Sequence, residues 1–329
     1  MKACPCWHHA HASGPRRPTV PDVGGEPVSV LFCFLDGVGL GPDDPTNPLA
    51  RAGTPALRQL LGGPLVAPGG VEGDGALLLA ADARLGVPGL PQSATGQTAL
   101  LCGLNAPAIE GRHVTAYPTA GLRALLRTHS LFARLVRRGR RVALANAYSP
   151  EYFAAIATRR LRMAAVTFAA QAAGVPLRSV DDLREGRAVF HDLTNARLRA
   201  WGHAVPASTP RAAGRCLARL AASYDLTFFE FFLTDLAAHG RGALSADDVV
   251  GMVDDLLAGV LEAREVATTV VVTSDHGNLE DARSPQHTTN PVPVLVLGPG
   301  RAAFRGVRAI TDVAPAVLTL LAAGDAVPA

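Results

Sequence analysis

Lysine is nearly absent from this chain. Of 329 residues only Lys2 is a lysine, and arginine carries almost all the positive charge. Any mechanism that needs a lysine in a folded active site is thereby excluded. Strong charge is missing as well: the net charge of +3 is small for this length and offers no electrostatic case for nucleic acid as a partner. No apolar run reaches the roughly 18 residues that a membrane span needs. Residues 1–26 lack the apolar core of a secretory signal, so neither membrane insertion nor export is expected. The cysteines (Cys4, Cys6, Cys33, Cys102, Cys216) show no disulfide framework, and a reducing cytoplasm is the expectation.

What remains is the composition of a globular protein, 48% apolar and 18% charged, long enough for a large core and two domains. Residues 1–26 hold Cys4, Cys6, His8, His9 and His11 among Pro, Gly and Ala. They are read as a flexible extension rather than a metal tract. Residues 28–35 (VSVLFCFL) form a continuous apolar run ended by Asp36-Gly37, as in a strand buried on both faces. Residues 226–233, 268–273 and 292–297 read as further strands, and 49–61 and 313–321 have helical spacing. Ser245 with Asp248 predicts a capping box at the start of a long helix. Strands alternating with helices imply a parallel sheet with helices on both faces. Between about residues 105 and 224 the texture changes. Helical spacing over 122–136, a strand at 142–147 and a helix opening at Thr209-Pro210 suggest an inserted α/β cap. The expected division is an extension (1–26), a core in two parts (27–107 and 224–329) and the cap (108–223).

The chemistry gathers at strand ends. Asp36 follows the first strand, Asp235 follows the second, and Asp275 with His276 follows the third. Open α/β sheets place their ligands at that edge. Asp235 and His239 stand four residues apart, one helical turn, and His287 follows downstream. One such aspartate alone reads as a cap or turn residue. Together the three carboxylates and three imidazoles suffice for two metal ions, and mixed oxygen and nitrogen donors suit zinc or manganese. Ser93 lies where a Gly/Pro turn passes into a helix, a place that favours phosphate. Taken alone Ser93 is an N-cap; beside two metals it is a hydroxyl whose proton is readily lost.

These residues resemble a known family. Asp36-Gly37-Val38-Gly39, Asn47-Pro48-Leu49-Ala50, Ser93-x-x-Gly96, Asp235-x3-His239, Asp275-His276-Gly277-Asn278-x-Glu280 and the run from His287 to Pro293 are similar to motifs of the cofactor-independent phosphoglycerate mutases. More broadly they resemble the alkaline phosphatase superfamily branch that also holds phosphopentomutase. The resemblance implies an alkaline phosphatase-like, mainly parallel sheet flanked by helices, with a smaller inserted α/β cap. It implies that Asp36, Ser93, Asp275 and His276 hold one divalent ion and Asp235, His239 and His287 a second, Mn2+ or Zn2+. Ser93 would be the nucleophile, with Thr95 as the fallback. The chain departs from the mutases at Gln97, where they carry histidine, and in lacking a lysine near the phosphoryl group.

The expected activity is two-metal phosphoryl transfer, as a phosphatase or phosphomutase, on a small phosphorylated metabolite. Arg112 and His113 are candidate substrate contacts. A phosphodiesterase or sulfatase on the same scaffold is the alternative, and a silent metal- or metabolite-binding protein is the alternative from another class. A monomer is expected.

Overall fold

The computed structural model describes residues 28–73 and 75–323. The tract around Cys4, Cys6, His8, His9 and His11, with the rest of the expected extension, lies outside the described residues. Nine strands are present among those described: β1 (Ser29–Leu35), β2 (Val71–Glu72), β3 (Ala76–Ala81), β4 (Val142–Leu144), β5 (Ala147–Tyr148), β6 (Arg178–Ser179), β7 (Leu226–Phe231), β8 (Thr268–Thr273) and β9 (Val292–Leu297). Seven of them form one sheet in the order β2-β3-β9-β8-β1-β7-β4.

The run that predicted β1 is apolar because the strand is covered on both sides. Val30, Phe32 and Phe34 pack into one core with Phe228 and Val271. Leu31, Cys33 and Leu35 alternate into a second core on the opposite face with Phe229, Val270 and Val272. Each fully buried Phe or Leu contributes roughly 1.5–3 kcal/mol, so this central strand anchors both layers.

β8, β1, β7 and β4 run parallel to one another. Parallel neighbours bring their carboxyl ends to one edge, and the residues following β1, β7 and β8 therefore meet there. β9 differs from the expected parallel sheet: it pairs antiparallel with β8 and with β3. A parallel return needs a crossover, whereas residues 274–291 stay at the same edge as an irregular connection and the chain simply reverses. That connection carries Asp275, His276 and His287 across the strand ends.

Two helices expected as continuous are divided. Residues 49–61 form Pro48–Arg51 and Pro55–Leu61, because Pro55 cannot extend the preceding helix. Residues 122–136 lie in Ala120–His129 and Leu131–Val136, separated at Ser130, which takes an extended backbone and caps the second helix through Ala133 N. The capping box at Ser245 and Asp248 opens the helix Ala246–Ala263.

Residues 108–223, expected as a separate cap, are shared between two environments. β4 is the edge strand of the main sheet, and Leu122, Leu126 and Phe132 belong to its core. A smaller unit is built around β5 and β6, with its own cluster of Ala147, Val180, Leu183, Phe190 and Leu198. The helices Ala120–His129, Leu131–Val136 and Ala165–Ala172 present apolar faces that pack into the main-sheet core. Among the described residues no helix is long and apolar enough to cross a membrane.

Candidate metal centre

Asp36 leaves β1 and turns at Gly37, whose φ of 71° is open to glycine. A side chain there would also meet Asp235, since an added Cβ would stand 2.7 Å from Asp235 Oδ1. Ser93 is the first residue of the helix Ser93–Cys102, not its N-cap; Gln92 holds that place. The Ser93 hydroxyl lies 3.1 Å from His276 Nε2. Gly96, one turn on, lets this helix approach the strand end, as a Cβ there would stand 2.8 Å from Asp275 O. The spacing Ser93-x-x-Gly96 thus combines a hydroxyl placed beside His276 with the close approach that seats its helix.

Around His276 the donors converge. Its Nε2 is 3.3 Å from Asp36 Oδ1 and 3.6 Å from Asp275 Oδ2. Asp36 Oδ1 and Asp275 Oδ2 are buried without a hydrogen bond. Gln97 Nε2 donates to the other Asp36 oxygen at 3.2 Å and so orients that carboxylate.

The second group is more explicit. His239 Nδ1 donates to Pro285 O at 2.6 Å and His287 Nδ1 to Pro91 O at 2.7 Å. A carbonyl can only accept, so each neutral ring carries its proton on Nδ1 and a lone pair on Nε2. Those two Nε2 atoms face each other at 3.1 Å. Two opposed lone pairs repel unless a cation lies between them. Asp235 Oδ1 completes the set, 3.4 Å from His239 Nε2 and 3.6 Å from His287 Nε2. Ligands about 2.0–2.2 Å from a shared tetrahedral ion stand roughly 3.3 Å apart, which these separations match. Binding the far ring nitrogen to a backbone carbonyl is also how metal-ligating histidines are oriented.

The groups adjoin. The His276 and His287 rings stack at 3.8 Å, and Asp235, His276 and His287 also offer donor atoms within 4.8 Å of one another. Asp36, Asp275 and His276 do the same. Without cations the cluster holds excess negative charge. Burial, then the Asp36 charge, pushes both Asp275 and Asp235 above the usual carboxylate range. Burial would lower His276, but Asp275, Asp36 and Asp235 together raise it to about 10. Burial and the His276 charge push His287 down to about 4. Oxygen and nitrogen donors in this arrangement fit divalent cations.

Other expected residues lie apart. Thr95 is buried, its hydroxyl bonded to Gln92 O at 3.2 Å and to Val114 N at 3.1 Å rather than to the donor cluster. Arg112 is exposed, and His113 is half-buried with Nε2 3.3 Å from Val87 O. Neither lines the cavity of about 680 Å³ that opens over Asp36, Ser93, Asp235, His239 and His287.

Glu280 ties the motifs together. Its buried carboxylate accepts from Gly39 N at 2.9 Å, Asn278 N at 2.8 Å and Asn290 Nδ2 at 3.0 Å, and also from the Thr288 hydroxyl. One side chain thus fixes the loop after β1 and both arms of the β8–β9 connection. Its place in the Asp-His-Gly-Asn-x-Glu motif marked it in the sequence, but not that role. Glu230, within β7, was missed: it lines the cavity, and burial and the Asp36 charge push it up to about 8.

The metalloenzyme superfamily matches residues 208–324. A 2,3-bisphosphoglycerate-independent phosphoglycerate mutase of Paracoccus denitrificans is 37% identical over 123 residues, covering 35% of this chain and 24% of the relative. One from Rhodopseudomonas palustris is 33% identical over the same coverage. The matched stretch therefore spans about a quarter of the length of these relatives. Among solved structures, a protein from Pyrococcus horikoshii aligns with TM-score 0.52 at 14% identity, over 92% of this chain and 99% of that one. Alkaline phosphatase from the Antarctic bacterium TAB5 aligns with TM-score 0.51 at 15% identity, over 90% and 98%. The fold is alkaline phosphatase-like.

Proposed function

We propose that this chain, which carries a metalloenzyme superfamily domain, is a two-metal phosphoryl-transfer enzyme, a phosphatase or phosphomutase, acting through Ser93 on a small phosphorylated metabolite. The observation that carries the reading is the pair of opposed Nε2 lone pairs of His239 and His287 at 3.1 Å, beside a serine hydroxyl 3.1 Å from His276. Asp235, His239 and His287 would hold one divalent ion, Mn2+ or Zn2+, and Asp36, Ser93, Asp275 and His276 the other. The ions would supply Lewis acidity toward the phosphate oxygens and ease loss of the serine proton.

The remaining work falls to the chain. Ser93 Oγ attacks phosphorus in line with the ester bond, the phosphorus–oxygen bond to the alcohol breaks, and the alcohol leaves with the proton. The resulting phosphoserine is resolved by water or by an alcohol oxygen. Gln97 keeps Asp36 turned toward His276, and Glu280 keeps the loops in register. The buried thiols Cys33, Cys102 and Cys216 suit the reducing cytoplasm that we assign. Assaying free phosphate and isomerised product from a panel of phosphomonoesters tests the reading. Release or relocation of phosphate by the wild type, lost in Ser93→Ala with metal retained, is expected; full activity of that variant would refute it.

A further inference from the structure

Beyond the donor cluster the cavity continues to a wall that the phosphoryl-transfer step does not use. Glu230 lines it while only 6% exposed. Among the described residues its carboxylate has no hydrogen-bond or ion-pair partner; its bonds to Asn146 are made by its backbone. Those bonds hold the residue in place. β4 ends at Leu144, and the Asn146 side chain supplies the next rung of the ladder, donating to Glu230 O at 2.8 Å and accepting from Glu230 N at 2.9 Å. A largely buried carboxyl group without a donor from the protein calls for an explanation. Here the open side faces the cavity.

The neighbouring wall indicates what the donor is. The Tyr148 and Tyr152 rings are tilted by 33° with centroids 4.6 Å apart, and the Tyr148 hydroxyl shares a hydrogen bond of 2.8 Å with Thr167. These groups line the cavity with uncharged rings and hydroxyls. Arg162 and Arg241 also line it and disfavour a cationic ligand group, while Asp36 and Asp235 on the floor disfavour an anionic one beside Glu230. A neutral hydroxyl satisfies all of them.

We propose that Glu230 is a specificity-determining residue: its carboxyl oxygen accepts a hydrogen bond from a hydroxyl on the alcohol portion of the substrate, so that hydroxyl-bearing phosphomonoesters are selected over alkyl ones. This rests on the phosphoryl-transfer reading of the same cavity. The test measures binding by calorimetry on manganese-loaded Ser93→Ala protein, so that it does not depend on turnover. The probes are hexitol 6-phosphate, hexyl phosphate and inorganic phosphate.

Glu230→Leu, of similar bulk but without an acceptor, should weaken hexitol 6-phosphate about tenfold or more, equivalent to about 1.4 kcal/mol. Hexyl phosphate and inorganic phosphate should stay within about twofold. Glu230→Gln, which keeps an acceptor, should fall between. Parallel loss for both organic phosphates, no change for either, or loss of manganese from both variants would overturn the assignment. Turnover of p-nitrophenyl phosphate with Ser93 intact reports on the phosphoryl-transfer reading separately. Turnover without hydroxyl discrimination would refute the role of Glu230 alone.

Discussion

The strand-end floor that carries Asp36, Asp235 and His287 and the wall that carries Tyr148, Tyr152 and Thr167 face one cavity, yet they are held by different means. The floor is fixed many times over. Glu280 grips three segments, Gln97 holds Asp36, Ser274 accepts from Val38 N at 2.9 Å, and Thr234 donates to Asp36 O at 2.6 Å. The wall, Tyr148 on β5 with Tyr152 and Thr167 on two helices, rests on a tilted ring contact and a single hydrogen bond. A donor cluster has to hold like charges together, so it needs a dense frame. A substrate wall needs only shape and a few polar tips.

That contrast can be broken or sharpened by substitution. The largest effect is expected on the floor: Ser93→Ala should lower phosphate release from p-nitrophenyl phosphate by on the order of 10³-fold or more while the protein keeps its metal. Next, Glu280→Ala should remove several buried hydrogen bonds at once and cost about 3 kcal/mol, measured by urea unfolding, with weaker metal retention.

Behind the cavity lining, His191 packs between Phe190 and Phe232, and burial pushes it down to about 4. An unfolded chain then binds more protons than the folded one between about pH 6.5 and 4. Stability should therefore fall as pH drops through that window, by up to about 3 kcal/mol, and His191→Leu should flatten this part of the profile. The smallest effect is expected for Tyr148→Phe, which loses one hydrogen bond to Thr167. It should cost about 1 kcal/mol in thermal unfolding and leave metal content unchanged. If Tyr148→Phe stripped the metal, or Glu280→Ala left it untouched, the division between floor and wall would be wrong.

The two regions also differed in how far the sequence revealed them. An uninterrupted apolar run closed by Asp36-Gly37 suits a strand covered on both faces, and the donors at three such ends point to a common edge. Direction was less legible. β9 looks like any other buried strand, and its antiparallel course depends on residues 274–291 being a connection at one edge, which local pattern does not encode. β3 (ALLLAA) was missed because alanine and leucine suit helices as well as strands; its pairing with β9 decides the matter. Pro55 and Ser130 could have marked the helix breaks. Glu230 lies within an apolar strand and carries no motif, and only the assembled cavity shows that it is part of the lining. The wall as a whole is tertiary: Tyr148, Thr167 and Glu230 are far apart in sequence and carry no shared motif.

The central claim is that His239, His287 and Asp235 hold one cation and that Asp36, Ser93, Asp275 and His276 hold another. Elemental analysis of the purified full chain after manganese loading and gel filtration tests it most directly, with His287→Ala alongside. The account predicts about two ions per wild-type chain, reduced to about one in the variant. Wild-type protein that retains no metal, or a variant that keeps the full wild-type content, would contradict it.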